Sequence, residues 1–498
     1  MTSSGNLAMS WAEWLRHDAT DLAALVRSGK LAAREVVAQA ATASSRVDPT
    51  LEGVLELFED VIADPDVDAP DRAGPLYGVP IFLKDLGSRL RGRRQESGSR
   101  LLRGNVAKET DPLVENFLRA GLIPFGRSTC PEFGMTFDTS TAYLDRVKVT
   151  RNPWNPARTP GGSSGGSAAS VAAGVTPISM ASDGGGSTRI PASYCGLVGL
   201  KATRGRIAMP LAQNEFTWRI AVEGVVTRTV RDSAAALDHL RRKPPGGTFY
   251  PIAEYPGSYV DAIATPPGGL RVALSTGAWG RNGACDAEVA TRIRDVARAL
   301  EGLGHDVEEV DDAAICDWRA MWSGYITQWI CGRVQYLPVA ELGGFGREGL
   351  KDALSPMVNR HFEAAQRYST LDLYKAMAAN NVVTRGFGRF MSGFDLLLCP
   401  THAIRVPEAN GPYSLLRDEP LEIWIDRLAD ACRYTMPGNE SGLPGISIPA
   451  GLDADGLPIG AMLYGDFGRE DLLLRVAAQV EAARPDWFGL VPPVNVGA

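Results

Sequence analysis

An α/β fold in one large domain is what this chain predicts, and three features carry the expectation. Segments with the apolar spacing of amphipathic helices alternate with short apolar runs of strand length. Glycine closes several of the helical segments, as in RAG at 119–121 and GLGH at 302–305. No internal repeat and no linker rich in Pro, Gly and charge divides the 498 residues, a length open to one very large domain or about three ordinary ones.

Ala19, Leu22, Leu25 and Val26 form one helical stripe, and Val36, Val37 and Ala40 belong to a second helix after the SGK turn at 28–30. LYGVPIFLKD (76–85) reads as a turn and a buried strand ending at Lys84. PLVENFLRAG (112–121) is an amphipathic helix and LIPFGRS (122–128) a strand. The Gly/Ser loop 161–167 leads into a small-residue helix, SAASVAAGV. TPISMAS (176–182) is a strand, closed by the DGGG turn. A strand end and a helix follow at 225–240, then a strand at 269–277, a long helix at 286–304 and a strand at 305–310. Residues 316–392 read as mostly helical. FDLLLCPTHA (394–403) and PGISIPAGL (444–452) are buried strands, and DGLPIGAMLYG (455–465) pairs with a terminal helix.

Composition excludes several classes of function. The net charge of −7 and the lack of any long basic run (RGRR at 91–94 is short) argue against nucleic acid and anionic membrane as partners. No run approaches eighteen apolar residues, the length of a membrane span. The first twenty residues lack the apolar core of a secretory signal, and seven scattered cysteines read as reduced core residues; both features predict a cytoplasmic protein.

The chemistry concentrates between Thr159 and Gly205, with two glycine-cradled serines, Ser163 and Ser187, and a lysine upstream at Lys84. Burial beside Val79–Leu83 disfavours an ammonium, so Lys84 is placed to act as a neutral base. Asp85 follows it on a strand and therefore faces the other way. A neutral Lys84 deprotonates Ser163, and Ser163 deprotonates Ser187 as Ser187 attacks a carbonyl carbon. Gly184, Gly185 and Gly186 let the backbone N–H groups up to Ser187 converge on the resulting oxyanion. Asp183 and Arg189 flank this loop as a structural pair, and Gly162 and Ser164 support the first serine. The residues alone do not separate Ser164 from Ser163.

Lys84 in GVPIFLKD, Ser163 in GGSSGGS and Ser187 in DGGGSTRIPASYCGLVGLKATRGR resemble the amidase signature hydrolases. DATDLAALVRSGKLAAREVV, CPEFG, TRNPWNPARTPGG, VTRTVRD and GLPGISIPAGLDADGLPIGAMLYG extend the likeness over most of the chain. Departures are small: Gly184 replaces a bulkier residue, and Ala202 stands where proline commonly follows LK. The resemblance selects Ser163 as the relay and implies a cis peptide at Gly162–Ser163. It also implies a single domain, residues 1–498, built on a twisted mixed sheet covered by helices. Its core falls at about 70–240 and 390–485, and a variable substrate-side region at about 311–390. It implies no cofactor or metal, no obligatory protein partner, and an amide or carbamate (urethane) substrate with water. The wording around Ser187 is similar to members acting on nylon oligomers, anilides and urethanes. A pocket for a bulky, non-peptide substrate then falls to Phe133, Met135, Phe137, Tyr325 and Trp329.

Other readings compete. Gly/Ser runs are often linkers. Gly161-x-Ser163-x-Gly165 also fits a nucleophile elbow, which needs Asp395 and His402 as partners in an esterase triad. A glutaminase-type component of a larger complex fits the same motif set. Trp318, Trp322 and Trp329 share a helical face, for which core packing is the default.

Overall fold

In the computed structural model, residues 7–144, 146–211, 220–244, 252–335, 337–338 and 346–498 are described. Parts of the variable helical stretch, 336 and 339–345, lie outside them. Eight strands form a mixed sheet in the order Asp306–Glu309, Arg271–Leu274, Leu396–Pro400, Pro458–Gly465, Gly445–Leu452, Val198–Lys201, Val222–Thr227, Ile178–Asp183. The first three run parallel and the remaining neighbours antiparallel. A three-stranded sheet adjoins its last strand. There Pro80–Lys84 runs parallel to Ile123–Ser128, which pairs on its other side with Val54–Leu57. Ser179 Oγ on the last strand reaches the Phe82 carbonyl at 3.4 Å.

Side-chain alternation along the strands separates two cores. Val272, Leu274, Leu396 and Leu398 join a cluster capped by helices Val230–Leu240, Ala287–Gly302 and Glu470–Ala483. Ala273, Leu397, Cys399, Met462 and Tyr464 join the opposite cluster, covered by helices Trp318–Cys331, Pro356–Ala365 and Leu421–Ala431. Each fully buried Leu or Val in these layers contributes roughly 1.5–3 kcal/mol by leaving water. A sheet covered on both faces reads as continuous apolar runs, and FDLLLC and PGISIP have that character.

The alternating pattern places the main strands and helices correctly. Several elements went unassigned in the sequence, among them strand Val54–Leu57, helix Arg189–Cys195, strand Val198–Lys201 and helix Leu421–Ala431. Proline at 191 lies in the first helical turn, where its missing N–H has no helical partner to lose. The small-residue helix starts at Gly165, inside the stretch read as loop. Gly165 and Gly166 accept the entropic cost of helix because a Cβ at either would lie within 2.5 Å of Thr139 or Thr129 and Gly53. The seven cysteines are unpaired, all but Cys285 buried. Among the described residues no helix is long and apolar enough to cross a membrane.

Candidate active site

Lys84 ends a strand whose residues are all buried, and its own exposure is 1%. Its Nζ lies 2.7 Å from Ser163 Oγ, 3.0 Å from Ser164 Oγ and 2.9 Å from Ser182 Oγ. Among the described residues no carboxylate contacts it. Burial lowers its pKa from 10.5 to about 8, opposed by Cys130, Glu223 and Asp183. Cys130 supplies little of that opposition, because burial pushes its thiol far above neutral pH and keeps it uncharged. Burial likewise raises Glu223 to about 8. An uncharged amine offers two N–H donors and one lone pair, so among three hydroxyl partners one must donate to nitrogen. As expected, Asp85 turns away: it accepts from Glu96 N, Gly98 N and Arg127 at 2.6–2.9 Å.

The Gly162–Ser163 peptide is cis. Ser163 is 2% exposed, and a Cβ at Gly134 would stand 3.0 Å from its Oγ. Ser187, by contrast, is only partly buried, as are Gly184 and Gly185.

The loop carrying Ser187 is held from below by a buried ion pair. Asp183 accepts from Arg189 Nε and Nη2 at 2.9 Å each, and both residues are fully buried. Burial alone would raise the Asp183 pKa, but the Arg189 guanidinium overrides it and holds the carboxyl below its ordinary range. Asp183 also accepts from Gly186 N at 2.7 Å and Asn439 Nδ2 at 3.0 Å. Three side chains pin successive carbonyls: Asn439 Nδ2 donates to Asp183 O at 2.8 Å, Tyr325 OH to Gly184 O at 2.8 Å, and Thr435 Oγ1 to Gly185 O at 2.7 Å. The N–H groups of Gly184, Gly185 and Ser187 have no hydrogen-bond acceptor among the described residues.

A family model for amidases matches residues 35–474. The chain belongs to the amidase family. A 6-aminohexanoate-cyclic-dimer hydrolase of Paenarthrobacter ureafaciens is 36% identical to this amidase over 493 residues, covering 96% of this chain and 97% of that protein. A solved structure of 6-aminohexanoate cyclic dimer hydrolase superposes with a TM-score of 0.87 at 33% identity, covering 96% of this chain and 99% of that one. A glutamyl-tRNA(Gln) amidotransferase component of Prochlorococcus marinus is 32% identical over 499 residues, covering 95% of this chain and 97% of that protein. The amidase signature resemblance and the α/β fold expectation are thereby met.

Several positions in this amidase need correction. Gly186 N–H donates to Asp183, which removes it from the oxyanion donors. Met135 and Phe137 are buried core, at 0% and 2% exposure; Phe137 packs edge-on against His402 at 4.6 Å and on Tyr413 at 4.4 Å. Tyr325 is also buried, its hydroxyl donating to Gly184 O on the loop that carries Ser187. Phe133, at φ 50°, and Trp329 remain partly accessible. Trp322 is buried in the core and Trp318, partly buried, packs against it, their indole N–H groups donating to Trp279 O and Asp312 O respectively. The esterase triad has no base: His402 Nδ1 pairs with Tyr194 OH at 2.5 Å and Nε2 with Cys432 Sγ at 3.5 Å, and burial lowers the ring's pKa to about 3. Asp395 instead accepts from Arg271 N.

Sequence reasoning missed Ser182, Thr435, Asn439 and Glu223. Ser182 and Glu223 sit opposite each other on paired antiparallel strands, so their side chains share a face, the one on which Lys84 lies. The only available signal was the position of Ser182 at the end of the strand leading to the DGGG turn.

Proposed function

We propose that this amidase hydrolyses the C–N bond of a small, bulky, non-peptide amide or carbamate through an acyl-enzyme on Ser187. The lone pair of neutral Lys84 takes the Ser163 proton, Ser163 takes the Ser187 proton, and Ser187 Oγ bonds to the carbonyl carbon. The carbonyl electron pair moves to oxygen, where the N–H groups of Gly184, Gly185 and Ser187 receive it; one such donor is worth roughly 3–4 kcal/mol. The intermediate expels the amine, which takes a proton returned along the relay. Water then attacks the acyl-enzyme by the same route and frees Ser187. With a carbamate the intermediate is an alkoxycarbonyl ester of Ser187, and its hydrolysis releases the alcohol and carbon dioxide.

The observation that carries this reading is the 2.7 Å contact between buried Lys84 Nζ and Ser163 Oγ, with no carboxylate contact to Lys84 among the described residues. Similarity to a cyclic-dimer hydrolase supports an amide substrate other than a peptide. The test is a panel of lactam oligomers, anilides, aliphatic amides and aryl carbamates, assayed on the purified chain with no added protein. Turnover of at least one class is expected. Activity on glutamine alone, and only after a partner is added, would instead favour the amidotransferase reading.

A further inference from the structure

We propose that Tyr325 is a positioning residue of this reaction: its hydroxyl orients the Gly184–Gly185 peptide so that Gly185 N–H faces the oxyanion. The inference rests on Ser187 being the nucleophile and adds a role for the helical substrate-side region. In a trans peptide the C=O of one residue and the N–H of the next point in opposite directions. A donor that grips Gly184 O from one side therefore aims Gly185 N–H to the other. The adjacent peptide follows the same rule. Thr435 Oγ1 grips Gly185 O while Gly186 N–H, on the opposite side, donates to Asp183.

Tyr325 is built for this contact. It is 2% exposed and its hydroxyl lies 2.8 Å from Gly184 O. Burial drives the phenol pKa well above its ordinary value, so the group stays a donor. A Cβ at residue 185 would stand 2.5 Å from the same hydroxyl, which accounts for glycine at that position. Helix Trp318–Cys331, which carries Tyr325, is fastened one turn further on: Gln328 Nε2 donates to Asn380 Oδ1 at 2.9 Å and to Glu440 Oε1 at 3.0 Å. Glu440 neighbours Asn439 on helix Met436–Ser441, so the two helices that grip the loop are tied to each other. Trp329, partly accessible, stacks on Tyr325 with ring centres 6.0 Å apart and planes 16° apart. A substrate that touches Trp329 thus presses on the group that aligns the oxyanion donor.

The test compares wild type with Tyr325→Phe, using a fluorophosphonate probe for Ser187 and 4-nitroacetanilide for turnover. Tyr325→Phe is expected to label roughly 10- to 100-fold more slowly, the scale on which a misplaced catalytic group acts. On the anilide kcat should fall by a similar factor, with KM within about threefold and the pH at which the rate levels off unmoved. Gly185→Ala, which displaces the hydroxyl without deleting it, should slow labelling likewise and guards against a folding defect in the first variant. Wild-type labelling rates in both variants, or a raised KM at unchanged kcat, would overturn the proposal while leaving Ser187 in place. A wild type that does not label at Ser187 would overturn the mechanism beneath it as well.

Discussion

At position 84 the fold holds an amine with three hydroxyls and, among the described residues, no counter-ion contact, and its titration should be readable in the rate. Burial lowers the pKa from 10.5 to about 8, so the protonated form, which cannot accept from Ser163, dominates below that pH. We expect kcat/KM to rise about tenfold per pH unit up to about 8 and to level off above, because the base is the deprotonated amine. A rate flat from pH 6 to 10 would contradict a lysine base. Burial holds Glu223 near 8 as well, so it is mostly uncharged where the rate climbs, and Glu223→Gln should leave the midpoint of that climb nearly in place. Lys84 and the two glycine-rich serine loops stood out in the sequence as unusual local patterns, but only the family resemblance chose Ser163 over Ser164, and Lys84 Nζ lies within hydrogen-bond distance of both. Ser182, Thr435 and Asn439 did not stand out. Each is an ordinary polar residue, and Thr435 and Asn439 reach the loop from some 250 positions away. Met135 and Phe137 went astray for the converse reason: an apolar residue beside a catalytic loop has the same signature whether it lines a pocket or fills the core.

At the scale of elements, the loop carrying Ser187 owes its shape to charge. Asp183 ends a strand, Arg189 begins a helix, and the pair bridges the turn between them in full burial. Removing one partner strands the other charge in a medium that solvates it poorly. Arg189→Met is therefore expected to lower unfolding free energy by roughly 3–5 kcal/mol, measured by urea denaturation, and to abolish activity. A loss under about 1 kcal/mol would mean the loop is held by other means. The sequence flagged this pair as structural but carried no sign that Asp183 would also capture Gly186 N–H. Backbone donors look alike in sequence, and their direction is set by dihedrals such as the φ of 129° at Gly186.

Over the whole molecule, the fold brings a lysine from the edge of a three-stranded sheet to within 2.7 Å of Ser163 Oγ, while Ser187 sits on the loop after the last strand of the larger sheet. The two-faced sheet was foreshadowed by apolar runs too continuous for a half-exposed strand. Its separation into eight strands and three was not, because pairing across distant segments leaves no local trace. Helix Trp318–Cys331 covers one face of the larger sheet and also grips the loop carrying Ser187 through Tyr325, so on the proposed function substrate contact and alignment of the oxyanion donors would share one structural unit. The most direct test of the relay is mass spectrometry of the protein after fluorophosphonate treatment, with wild type, Lys84→Ala, Ser187→Ala and His402→Ala side by side. An adduct on Ser187 is expected, with none in Ser187→Ala, labelling slowed at least about 10³-fold in Lys84→Ala, and near-normal labelling in His402→Ala. An adduct on Ser163, or a Lys84→Ala protein that labels as fast as wild type, would contradict the relay.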